Sequence, residues 1–139
     1  MPPLRDWGYD RRAMPIRLTI FHLDRLIIGV ATDKVTLFDL VGFFREIAES
    51  NTLHYRKLFD VTAAEPALSR EELAAFGERV RQARSDKPRG ALAIVADSAR
   101  GEFARFFTEL RSGTDAPPTK VFRSIHDARS WLAAQPIDF

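Results

Sequence analysis

"GALAIVAD", Gly90 to Asp97, is the stretch on which the fold turns. Six apolar residues, Ala91 to Ala96, run unbroken between a glycine and an acid. A strand with one wet face alternates polar and apolar residues. A strand covered on both faces reads as a continuous apolar run, as the inner strands of parallel sheets do. The stretch therefore predicts a central buried strand, and parallel neighbours require crossover helices before and after it.

Both flanks supply them. Upstream, Ser69 to about Ser85 reads as a helix with Leu73, Phe76, Gly77, Val80 and Ala83 inward. Before it, "KLFDV" (Lys57–Val61) is a short strand. Thr36 opens an earlier helix, with Asp39 three residues on as in a capping box. Leu37, Leu40, Val41, Phe44, Ile47 and Ala48 form its buried stripe, and Phe38 and Phe43 fall outside it. Ile16–Asp24 alternates, and Arg25–Thr32 is rich in β-branched residues, so the two predict a hairpin. Downstream, Ala99 to Arg111 carries Phe103, Phe106, Phe107 and Leu110 on one helical face. "TKVFRS" is a last strand, and Ser124 to Ala134 a last helix with Ile125, Ala128, Trp131 and Leu132 inward. The order ββαβαβαβα predicts an α/β fold: a mixed five-stranded sheet, its hairpin antiparallel, with four helices. Residues 1–13 are polar and Pro-rich and read as an extension of a single domain at 14–139. Trp7 and Tyr9 are the side chains that would anchor it.

Composition narrows the function classes. A chain of 139 residues buries about two thirds of its unfolded surface and needs no covalent staple. It has no cysteine, which removes disulfides, thiol redox chemistry and thiolate metal sites. The net charge is +2, and the 17 arginines among 21 cations interleave with acids rather than forming a basic face. Nucleic acid is therefore not an expected partner. No apolar run approaches a membrane span, and the first residues lack a signal-peptide core, so the expected location is the cytoplasm.

Three segments resemble one family. "AIVADSARGEFARFF" (Ala93–Phe107) is a strand ending in Ala-Asp, followed by a Gly and an Arg-aromatic pair. "KVFRSIHDARSWL" (Lys120–Leu132) is a Val-Phe-Arg strand leading to an Ala-x-x-Trp-Leu helix, and "KLFDVT" (Lys57–Thr62) fits the middle strand. Together they resemble the SpoIIAA-like family, also described as STAS/Sec14-type domains, over about Met14 to Ala134. The resemblance implies a STAS-like sandwich without catalytic chemistry. It also implies one of two roles. Anti-anti-sigma STAS domains are partner-binding switches, turned off by phosphorylation of a serine opening the helix after the middle strand. Sec14-type domains hold lipid in an apolar cavity between helices and sheet. Ser69 occupies the switch position, but "ALSREEL" lacks the acid before the serine and the glycine after it that the phosphorylated members carry.

Residue by residue, the local readings are these. Ser69 with Glu72 forms an S-x-x-E capping box, which accounts for both without a switch. A phosphate there would meet free helix N–H groups, but also Glu71 and Glu72. Asp60, Asp97 and Lys120 have the types but not the order of a phosphoryl-accepting site. His22, His54 and His126 lack metal-ligand spacing. No catalytic residue, cofactor or metal is expected. Phe38 and Phe43 are the aromatic pair off the buried stripe. They predict a dimer or partner interface, a surface covered by the N-terminal extension, or the wall of an apolar pocket completed by Phe106 and Phe107. The leading expectation is a non-enzymatic regulatory or interaction module whose partner is a second copy or another protein; the alternative is a binder of a small apolar or lipid-like ligand.

Overall fold

The structure, a computed structural model, describes residues 15–83, 87–97, 105 and 118–137. Of the expected helix at Ala99–Arg111 only Arg105 is described, and it is helical; Phe106, Phe107 and the N-terminal extension lie outside the described residues.

Five strands form one sheet in the order β1-β2-β3-β4-β5, the order of the chain. They are β1 (Ile16–Phe21), β2 (Leu26–Val35), β3 (Arg56–Pro66), β4 (Leu92–Val95) and β5 (Thr119–Phe122). The hairpin β1–β2 is antiparallel, and every later pairing is parallel. Three helices are described: α1 (Leu37–Glu49), α2 (Arg70–Gln82) and α3 (Ile125–Ala133). The mixed five-stranded sheet is thus as the sequence predicts, with three of the four expected helices among the described residues.

The sheet separates two apolar layers. Leu92 and Ile94 of β4 point toward α1 and α2, where they meet Leu40, Phe59, Phe76 and Val80. Ala93 and Val95 point the other way, onto Ala128 and Leu132 of α3. That is why the sequence of β4 does not alternate. Burying a side chain the size of Ile94 or Leu58 contributes about 2 kcal/mol, so β4 and its neighbours anchor the domain.

Local chemistry starts each helix. The Thr36 hydroxyl accepts the Asp39 N–H at 3.3 Å, and the Asp39 carboxylate accepts the Thr36 N–H at 2.8 Å. Ser69 and Glu72 make the same reciprocal pair, and the Ser124 hydroxyl accepts the Asp127 N–H at 3.3 Å.

Three strands differ from their sequence expectation: β2 runs on to Val35 rather than Thr32, and β1 and β3 differ as follows. The first hairpin turns over four residues, 22–25, with Arg25 at φ 51° and its N–H on the His22 carbonyl, so β1 ends at Phe21. The second difference is larger: β3 continues five residues beyond Val61. Between Val30 and Thr32 the pairing with β3 slips from Asp60 to Ala63, so β3 carries an extra residue. This bulge disrupts the ladder at Thr62. The Asp60 carboxylate there accepts both the Thr62 N–H, at 3.0 Å, and the Thr62 hydroxyl. The bulge also breaks the alternation: Val61 and Ala64, three apart, enter the same core layer. A period-of-two reading stops at Val61 for that reason.

Candidate interaction groove beside helix α1

Helix α1 packs on the sheet through Leu40 and Ile47, both buried, with Leu37, Val41 and Phe44 partly so. Phe43 joins them, although the helical stripe leaves it out. Its ring stacks on Phe59 with centroids 5.0 Å apart and planes 17° from parallel. The space for that stack is made by Gly29, which pairs with Phe59 across the sheet. A Cβ at position 29 would lie 2.8 Å from Phe43 Cε1. Phe43 is therefore a partly buried wall rather than an exposed aromatic.

Phe38 has no such seat. It is 85% exposed, two residues after the N-cap Thr36. Phe38 and Phe43 border a groove of about 120 Å³ between α1 and β1, with Pro15, Ile16 and Leu18 on the strand side. Gly42 lies along its helix side, and a Cβ there would meet nothing within 4 Å. Asp39 and Glu46 complete the lining, so the groove is apolar with an acidic flank.

On its other side Phe43 lines a second, smaller space. A cavity of about 50 Å³ lies between α1, α2 and the sheet, walled by Phe43, Phe44, Ile47 and Phe76 among others. Two cations border it. The Lys57 ammonium donates to the Leu53 and Tyr55 carbonyls at 2.5 and 2.8 Å. The Arg89 guanidinium donates to the Val80 and Ala83 carbonyls at the C-terminal end of α2, at 2.5 and 3.0 Å. Burial holds the Arg89 pKa below the ordinary arginine value, because desolvation disfavours the charged form.

The sequence reading did not anticipate two further features. Arg56 is 9% exposed and ties α3 to the hairpin, donating to the Leu132 carbonyl at 3.0 Å and the Asp24 carbonyl at 2.7 Å. Its Nε has no hydrogen-bond partner among the described residues. Nearby, His22 Nδ1 and the Tyr55 hydroxyl are 2.8 Å apart, and the His54 ring meets Tyr55 edge-on at 4.9 Å. These residues meet at the start of the parallel strands from separate parts of the chain, and no sequence spacing signals it.

The remaining candidates stay apart. The Ser69 hydroxyl accepts the Glu72 N–H at 3.1 Å, and the Glu72 carboxylate accepts the Ser69 N–H at 2.9 Å. The capping box thus engages both residues at the exposed start of α2. Asp60 braces the bulge, and the Lys120 ammonium sits over the Phe122 ring at 5.5 Å. Among the described residues, no group of three or more His, Asp or Glu could hold a metal ion. None of the described helices is long and apolar enough to cross a membrane.

The sheet order, the antiparallel first hairpin and the helices on both faces define an α/β domain with a SpoIIAA-like fold. The chain is similar to the crystal structure of an uncharacterized protein from the DUF3478 family, with a SpoIIAA-like fold, from Shewanella loihica PV-4. The two share 19% identity at a TM-score of 0.57, over 84% of this chain and 91% of the other. That likeness shows the fold. No family model and no curated protein matches the chain.

Proposed function

We propose that this domain is a non-enzymatic interaction module that docks a protein partner, or a second copy of itself, in the groove between α1 and β1. The observation that carries the reading is Phe38, a large aromatic 85% exposed at the rim of an apolar groove. Aromatic anchors of this kind supply much of the energy at protein interfaces when they become buried. Gly42 supports it: glycine inside a helix costs about 1 kcal/mol relative to alanine, and packing at this position does not require it. The test is differential capture from the cell that makes the protein. Phe38→Asp should lose a partner, or a dimer in sedimentation, that the parent chain retains. Identical capture and identical mass for the two chains would count against the groove.

A second reading takes the cavity under α1 and α2 as the seat of a small apolar ligand with an anionic end. The observation favouring it is the pairing of aromatic walls with Lys57 and Arg89. It ranks second because a space of about 50 Å³ is well below the ~150 Å³ of a cavity that takes a molecule as small as benzene. A fatty chain would have to part the two helices. Native mass spectrometry of gently purified protein tests it: a discrete added mass, lost in Phe76→Ala, is the expected result.

A further inference from the structure

We infer that the groove's occupant is helix α1 of a second copy of this chain, parallel to the first and related to it by a two-fold axis. The inference rests on the reading of the groove as a docking surface and names what docks there. Helix α1 turns two columns of side chains outward. Phe38 and Arg45 are seven residues apart, nearly two turns, so they stand one above the other about 10.5 Å apart. Asp39 and Glu46 repeat that spacing one residue on, about 100° further round the helix. Gly42 lies between the columns, and the buried Leu40 and Ile47 lie on the opposite side of the helix. The groove is on the Asp39–Glu46 side: both residues line it, and Arg45 does not. One flank of α1 is thus a protruding aromatic with a cation above it. The other flank is an apolar hollow edged by acids. The first flank complements the second.

Two-fold symmetry decides how the flanks meet. In an antiparallel pair each flank faces its own kind, which sets Asp39 and Glu46 against the same acids of the other copy. In a parallel pair each flank faces the other kind, as the charged flanks of parallel coiled coils do. Phe38 then enters the groove of the second copy beside its Gly42, where a Cβ would meet nothing within 4 Å. Arg45 comes beside Glu46 of the second copy, and the axis repeats both contacts. Arg45 and Glu46 are exposed, and neither forms an ion pair among the described residues. The other charges of α1 are Asp39 and Glu49. Asp39 is engaged by its own cap, its carboxylate accepting the Thr36 N–H at 2.8 Å. Glu49 lies on the line of contact and faces its own copy, so one repulsive pair stands against two attractive ones. Arg17 of β1 points away, since the strand side of the groove is Ile16 and Leu18. A contact made by one 13-residue helix from each copy is smaller than a standard interface, so the dimer is weak and depends on concentration.

The test is sedimentation velocity of the full chain over a hundredfold range of concentration. The parent chain should pass from monomer to dimer. Arg45→Glu and Glu46→Arg should each weaken association at least about tenfold, because each turns two attractive pairs into repulsive ones. An equimolar mixture of these two variants should recover association, because both pairs of the mixed dimer are again opposite in sign. Glu49→Gln should tighten the parent dimer about twofold by removing the like-charge pair. All three positions are exposed, so far-UV circular dichroism should not change. Four results would overturn the inference: a parent chain that is monomeric throughout, dimers that survive both charge changes, a mixture that recovers nothing, or a dimer loosened by Glu49→Gln. Each of these leaves the groove open to another protein. That broader reading is scored separately, by whether Phe38→Asp abolishes capture.

Discussion

The two sides of Phe43 use glycine for opposite reasons. Toward the sheet, Gly29 is required because the Phe43–Phe59 stack fills the space where its Cβ would be. Toward β1, Gly42 stands where a Cβ would touch nothing. The first glycine closes a seam of the core. The second keeps a groove open at a cost in helix stability that packing does not offset. One helix thus carries, one residue from its packed aromatic, a glycine that packing does not require, and the proposed docking uses that side of the helix.

Substitutions can break this contrast or sharpen it. The largest effect is expected from Phe43→Ala, which empties the wall shared by both surfaces and should cost about 3 kcal/mol in urea unfolding. Gly29→Val should cost about 2 kcal/mol by forcing the stacked ring to move. In the Phe43→Ala background most of that second cost should vanish, and additive losses would show that the stack is not what Gly29 accommodates. Gly42→Ala should have the opposite sign, raising stability by up to about 1 kcal/mol. If it destabilises instead, the groove is not open and the contrast fails. Phe38→Asp should change stability by less than about 0.5 kcal/mol, as exposed positions do, while changing whatever binds. A large loss of stability there would mean that Phe38 is packed within the monomer.

The sequence discloses those parts of the fold that are local. An unbroken apolar run names β4, and hydroxyl–acid pairs three residues apart mark the starts of α1, α2 and α3. Ser69 is read correctly as a cap on the same ground, since both partners lie within one turn. What stays hidden depends on another element. Phe43 falls off the helical stripe, and only the missing side chain of Gly29 on β2 draws it in. The second half of β3 is lost because one extra residue at Thr62 resets the alternation. Arg56 and Lys57 sit in a strand that reads as half-polar, yet both are buried with their charges spent on backbone carbonyls. Of the aromatic quartet singled out from the sequence, Phe38 and Phe43 share one groove. Phe106 and Phe107 lie beyond the described residues.

Replacing Phe38 by a photoreactive benzoylphenylalanine, and Leu23 in a parallel chain, tests the groove most directly. Leu23 is 93% exposed at the tip of the hairpin, so it samples solvent without a groove beside it. Irradiation in the producing cell should give discrete adducts from position 38 and none from position 23. Peptide mapping would then assign each adduct to a second copy of this chain or to another protein. Equal labelling from both positions, or none from position 38, would contradict the account.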